Sequence, residues 1–157
     1  MKRIFVLLLS MLLLFGVVAC QKQVTQKEEK PKIQQDTPSQ VAYKFLKAYM
    51  QSDYEEEQKY LYKKGSYEID KNREKQSIAF SSKNIEGVKE YRDKANQVVY
   101  VWIKYDNPHT NDITTDIYAI RKNENGDYKV DIDADINFPF IQQKIEPKVI
   151  DPKSLGV

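Results

Sequence analysis

The chain holds one cysteine, Cys20, and one histidine, His109, among 157 residues. A lone thiol excludes an intramolecular disulfide framework, and with a single histidine it excludes zinc sites built chiefly on Cys and His ligands. Glycine is scarce, with five in all, and none of them forms a Gly-rich phosphate loop or a GxSxG elbow. A surplus of one charge is missing too. Setting aside Lys2 and Arg3, the basic residues fall from 25 to 23, level with the 23 acids. No basic field is then left to steer nucleic acid, so a nucleic-acid partner is not expected. Stability has to come from a packed core, to which the 11 tyrosines and 6 phenylalanines contribute large buried areas.

One long apolar run is present, and it stands first. Lys2 and Arg3 precede residues 4–18, which are apolar except for Ser10 and Gly16, and the run closes in "VVAC". That length suits a signal-peptide core and is short for a membrane-spanning helix, which needs about 20 apolar residues. The small Ala19 followed by Cys20 resembles the lipobox of bacterial lipoproteins. The resemblance implies a diacylglyceryl thioether on Cys20, cleavage between Ala19 and Cys20, and frequent acylation of the new amine, palmitate included. Two or three acyl chains on one residue meet the two-signal requirement for stable anchoring. An uncleaved anchor helix and an ordinary secretory signal are the alternatives.

After the leader (residues 1–19) the composition predicts a lipid-anchored tether over residues 20–36, rich in Gln, Lys and Glu and too polar to order itself. An α+β domain is expected over residues 37–135, and an irregular tail over residues 136–157 in which Phe138 and Phe140 pack back on a sheet. "TPSQ" is a helix start, with Thr37 as cap, Pro38 in the first turn and Gln40 closing a capping box. Val41, Ala42, Phe45, Leu46, Tyr49 and Met50 follow at helical spacing. Ser52 or Asp53 caps a second helix that stops at Gly65, so a bend is expected near Ser52. Residues 66–83 are ambiguous and read as a short helix around Ile69 to Gln76 followed by an extended "SIAF".

From Asn84 the period changes to two. "NIEGVKEYR" is a strand with Gly87 as a bulge candidate. "QVVYVWIKY" is apolar on both faces, as a central strand covered on two sides would be. "ITTDIYAIR" and "YKVDID" form a hairpin around an Asn-Gly turn.

Two helices followed by an antiparallel meander resemble the NTF2-like, cystatin-like α+β cone, and more narrowly the DUF4878-type lipoprotein domains of Gram-positive bacteria. "VAYKFLKAYMQSDYEEEQKYL" and "ENGDYKVDID" carry the resemblance, with Tyr128 where that family often has Trp. It implies a curved sheet wrapped on a long helix, often with a pocket at the open end. It implies no particular reaction, because fold does not fix function.

Individual motifs are weak. Asp131, Asp133 and Asp135 would share one strand face and resemble oxygen ligands, but the EF-hand pattern fails. Counted from Asp131, Ile136 stands where glycine is needed and Gln142 where glutamate is needed; from Asp133 these are Phe138 and Lys144. No metal site and no cofactor is therefore expected. His109 in "NPHTND" reads as an exposed turn residue. An isomerase-like site needs a general-base carboxylate and an oxyanion-binding tyrosine, for which Asp116, Tyr100 and Tyr118 are the nominees. The tyrosines of "YEEEQKYLYKKGSY" pack on the sheet or form a partner surface.

The reading expected from these residues is a membrane-anchored extracytoplasmic accessory module without a catalytic residue. It would be held by Cys20 at the cell membrane and would bind a protein, peptide or small molecule. An enzyme with a carboxylate–tyrosine pair, or a structural subunit of an envelope assembly, are the other readings.

Overall fold

The computed structural model describes residues 35–66 and 71–156. The leader, the Ala19–Cys20 junction and the tether up to residue 34 lie outside them, as does part of the ambiguous stretch at 67–70. Among the described residues no helix is long and apolar enough to cross a membrane.

Helix α1, Pro38–Met50, starts as its sequence dictates. Thr37 Oγ1 accepts from the Gln40 amide and Gln40 Oε1 accepts from the Thr37 amide at 2.9 Å, a closed capping box. The helix is buried almost all round. Tyr43, off the expected stripe, is covered because Phe80 stacks on it at 6.3 Å, whereas Tyr49, on the stripe, is 40 % exposed. Its apolar face is thus wider than one sheet contact requires. The chain turns at Ser52, whose φ of 52° is left-handed. Helix α2, Tyr54–Tyr60, follows, capped by Asp53. It ends before Gly65, because Leu61 becomes extended and bridges Val130 while the Tyr62 amide donates to Val130 O at 2.8 Å. Residues 71–80 form no helix. Gln76 instead donates its amide to Gln51 O, which ties the segment to the end of α1.

Five strands follow: β1 Ile85–Asp93, β2 Val98–Asn107, β3 Asp112–Lys122, β4 Tyr128–Val130 and β5 Lys148–Ile150. They form one open antiparallel sheet in the order β4-β3-β2-β1-β5. The expected bulge lies between Ile85 and Gly87. A side-chain carbon at Gly87 would sit 3.3 Å from the Trp102 ring, so glycine leaves that ring its place.

Strand β2 is central and covered on both faces. Val99, Val101, Ile103 and Tyr105 face α1 in the main core. Val98, Tyr100 and Trp102 face a second cluster with Tyr91, Ala119, Phe138 and Ile141. The tail, expected as irregular over residues 136–157, forms three elements: helix α3, Phe138–Lys144, supplies that cover, β5 pairs with the edge of β1, and a 3-10 turn, Pro152–Gly156, buries Leu155 in the main core. Three prolines masked these elements, but Asn137 caps α3 and Pro139 fits its first turn. Phe138 packs edge-on to Tyr91 at 5.3 Å, while Phe140 is 56 % exposed.

Candidate functional site

The nominated acid and tyrosines separate by strand alternation. Asp116 and Tyr118 lie two apart on β3, and Asp116 is opposite Ile103, a residue of the core facing α1. Tyr100 points to the other side of the sheet, where burial, and secondarily Asp93, pushes its phenol up. A residue not nominated takes its place. Tyr105 donates to Asp116 Oδ2 at 2.8 Å, and Tyr118 donates to the same oxygen at 3.1 Å. The β2–β3 register sets Tyr105 opposite Thr114, one diagonal step from Asp116, a pairing that no local pattern announces. Both phenol protons are directed to one carboxylate oxygen.

A second constellation sits at the start of α1. Glu90, 2 % exposed, accepts from the Ser39 amide at 3.3 Å and from Ser39 Oγ at 2.8 Å through Oε1. Its Oε2 takes Arg92 Nη2 at 2.5 Å. A carboxylate suits the positive end of a helix, and here it also fixes a guanidinium. Burial works against the Arg92 cation, but Glu90 outweighs it and holds the pKa above the ordinary arginine value.

Arg92 opens onto a cleft of about 520 Å³ at the end of the sheet carrying the β1–β2 turn. Register places Arg92 beside Val99, and Lys122 beside Tyr128, on the side of the sheet that faces α1. Tyr62 and Tyr128 provide aromatic wall, and Lys94 and Arg121 complete four cations. Lys122 Nζ is held 5.0 Å above the Tyr128 ring. Arg121 Nε lies 2.8 Å from Asp131 Oδ2, an ion pair whose N–H is not aligned for a hydrogen bond. The one acid of the lining, Asp93, turns its carboxylate into the β1–β2 turn. Hydrogen bonds from the Asn96 side chain and amide, and then from Ala95, hold it below the usual range against the effect of burial.

Glu57 is the other buried acid, and sequence reading singled out neither it nor Glu90. Glu57 is fully buried, and neither carboxyl oxygen has a hydrogen-bond partner among the described residues. Burial pushes its pKa up to about 7. The Gln58 side chain pulls the other way without making an aligned bond, since Gln58 Nε2 is itself unpartnered. A signal was present: Glu57 stands three and four residues before Tyr60 and Leu61, which pack in or against the main core.

The remaining motifs find structural partners. Strand β4 stops at Val130, so the three acids from Asp131 do not share a strand face. Asp131 pairs with Arg121, and Asp133 lies 3.7 Å from Lys63. Among the described residues no group of three or more His, Cys, Asp or Glu side chains is placed to hold a metal. His109 is exposed, and its Nε2 lies 3.0 Å from Met50 O at the end of α1. Tyr60 packs against the core with its hydroxyl on Glu56 at 2.8 Å, and burial and then Glu56 push its phenol up; Tyr62 is 48 % exposed.

No family model matches the chain, and no curated protein and no solved structure was found to match it.

Proposed function

We propose that the protein is an extracytoplasmic lipoprotein, anchored to the cell membrane through Cys20, whose folded part is a non-catalytic binding module of the NTF2-like, cystatin-like and DUF4878 type. The observation that carries the binding reading is the cleft at Arg92. Its volume of about 520 Å³ falls within the roughly 300–1,000 Å³ of small-ligand sites. Four cations and two tyrosines line it. The leader ending at Ala19–Cys20 supports the anchor, and the two helices ahead of an antiparallel sheet support the cone. The occupant is a protein, a peptide or a small molecule.

The anchor is tested by Cys20→Ser. The variant should accumulate as an uncut precursor that takes up no labelled palmitate; normal labelling would defeat the lipobox reading. The module is tested by charge reversal at Arg92 with pull-down from envelope extracts.

One observation favours an enzyme: Asp116 meets Tyr105 and Tyr118 within 3.1 Å. Against it, the cleft at Arg92 is not walled by any of the three. Turnover of an enolisable ketone that is lost in Asp116→Asn would establish that reading.

A further inference from the structure

We infer that the cleft at Arg92 binds a phosphate ester, an inference that rests on the binding-module reading and names the ligand class. The acids in and beside the cleft are already engaged. Asp93 is held by three hydrogen bonds from its own turn. Glu90 is committed to Ser39 and Arg92, and Asp131 to Arg121. The two lysines of the cleft differ. Among the described residues neither Lys94 nor Lys122 has an ion-pair partner, and both are exposed.

An anion entering the cleft therefore meets two lysines with no ion-pair partner among the described residues, Lys122 resting on the Tyr128 ring, and two guanidiniums already paired with Glu90 and Asp131. A planar carboxylate is satisfied by one bidentate partner. Several cations spread round one cavity suit a group with three acceptor oxygens and a charge of about −1.5 to −2, which is a phosphate monoester. Lysine serves such a group as a point charge, and arginine as a directional donor. Tyr62 and Tyr128 line the same cleft and give the carbon part of the ester an aromatic wall. The ester has two sources, a soluble metabolite or the monoester headgroup of phosphatidic acid in the membrane beside which the module would be tethered.

The test uses the full-length product in detergent and ligand-observed NMR with sn-glycerol 3-phosphate, and with glycerate and glycerol as controls. Glycerol 3-phosphate should bind, glycerol should not, and glycerate should bind at least tenfold more weakly. Lys94→Glu with Lys122→Glu should weaken glycerol 3-phosphate by tenfold or more at an unchanged melting temperature. Absence of phosphate binding, or binding untouched by the double variant, overturns the inference. Should glycerate or glycerol bind instead, and be lost in Tyr62→Ala with Tyr128→Ala, the cleft remains a ligand site and only the phosphate class is wrong. Silence with all three probes, together with no capture by the Arg92 test, defeats the module reading as well.

Reconstitution into vesicles separates the sources. Loss of glycerol 3-phosphate binding in phosphatidic acid vesicles but not in phosphatidylcholine vesicles assigns the headgroup. Equal binding in both assigns a soluble ester.

Discussion

Glu90 in β1 reaches the first turn of α1, with 2.8 Å between its Oε1 and Ser39 Oγ. The contact joins residues 51 apart in the chain and sets the helix start against the sheet end that carries the cleft. The same carboxylate holds Arg92, so the cleft's guanidinium is positioned by the packing of α1 on the sheet.

Removing Glu90 leaves the Ser39 donors without their acceptor. Glu90→Ala is expected to cost about 2–4 kcal/mol, since it strands two donors, with Arg92, 46 % exposed, adding little. Ser39→Ala, which removes one donor to a charged group, should cost about 1.5–3 kcal/mol. Urea denaturation at constant m-value checks both, and equal costs would contradict the shared-carboxylate geometry.

Glu57 makes stability depend on pH. The folded chain keeps its proton up to about pH 7, whereas the unfolded chain releases it near 4.5. The folded state thus binds more protons in that window, and stability falls as pH rises from about 4.5 to 7. The linkage is on the order of 3 kcal/mol. Subtracting the pH profile of Glu57→Gln from that of the wild type should isolate this slope, and a flat difference would show that the carboxyl is ionised at no cost.

Tyr105 and Tyr100 offer a contrast. Tyr105→Phe removes a hydroxyl bonded to Asp116 and should cost about 1 kcal/mol. Tyr100→Phe touches no bond to Asp116, because that ring lies across the sheet. In Asp116→Asn the cost of Tyr105→Phe should shrink, whereas that of Tyr100→Phe should not change. Double-mutant cycles measure this directly.

Gly87 and Trp102 are coupled by contact. In Gly87→Ala the new methyl meets the ring at 3.3 Å, and the ring has little room to yield between Lys89, 5.0 Å away, and the cover from α3. Strain of about 1–3 kcal/mol should exceed the gain of roughly 0.5–1 kcal/mol from replacing a strand glycine. Trp102 is the only tryptophan, so its fluorescence reports the displacement. An unshifted spectrum with raised stability would contradict the packing.

Much of the fold was legible because its causes are local. The Thr37–Gln40 box, the bend at Ser52, the bulge at Gly87 and the alternation of "QVVYVWIKY" each depend on a few adjacent residues, and each is found where the sequence puts it. The misses share a different origin. Helix α2 was read through to Gly65, but the pairing of Leu61 with Val130 ends it sooner. The last 22 residues look irregular alone, yet α3 folds over the side of β2 that carries Val98, Tyr100 and Trp102, and β5 extends the sheet beside β1.

The candidate site divides the same way. By itself the sequence determined which motifs were missing and that β2 would be buried on both faces, because composition and a period of two are properties of the chain alone. Only the tertiary structure decided that Tyr105 and not Tyr100 meets Asp116, that Glu57 is sealed from water, and that Arg92, Lys94 and Lys122 ring one cleft. Those facts turn on strand register and on which distant segments pack together. Register is settled by the sum of many weak long-range contacts, which no short stretch of sequence contains.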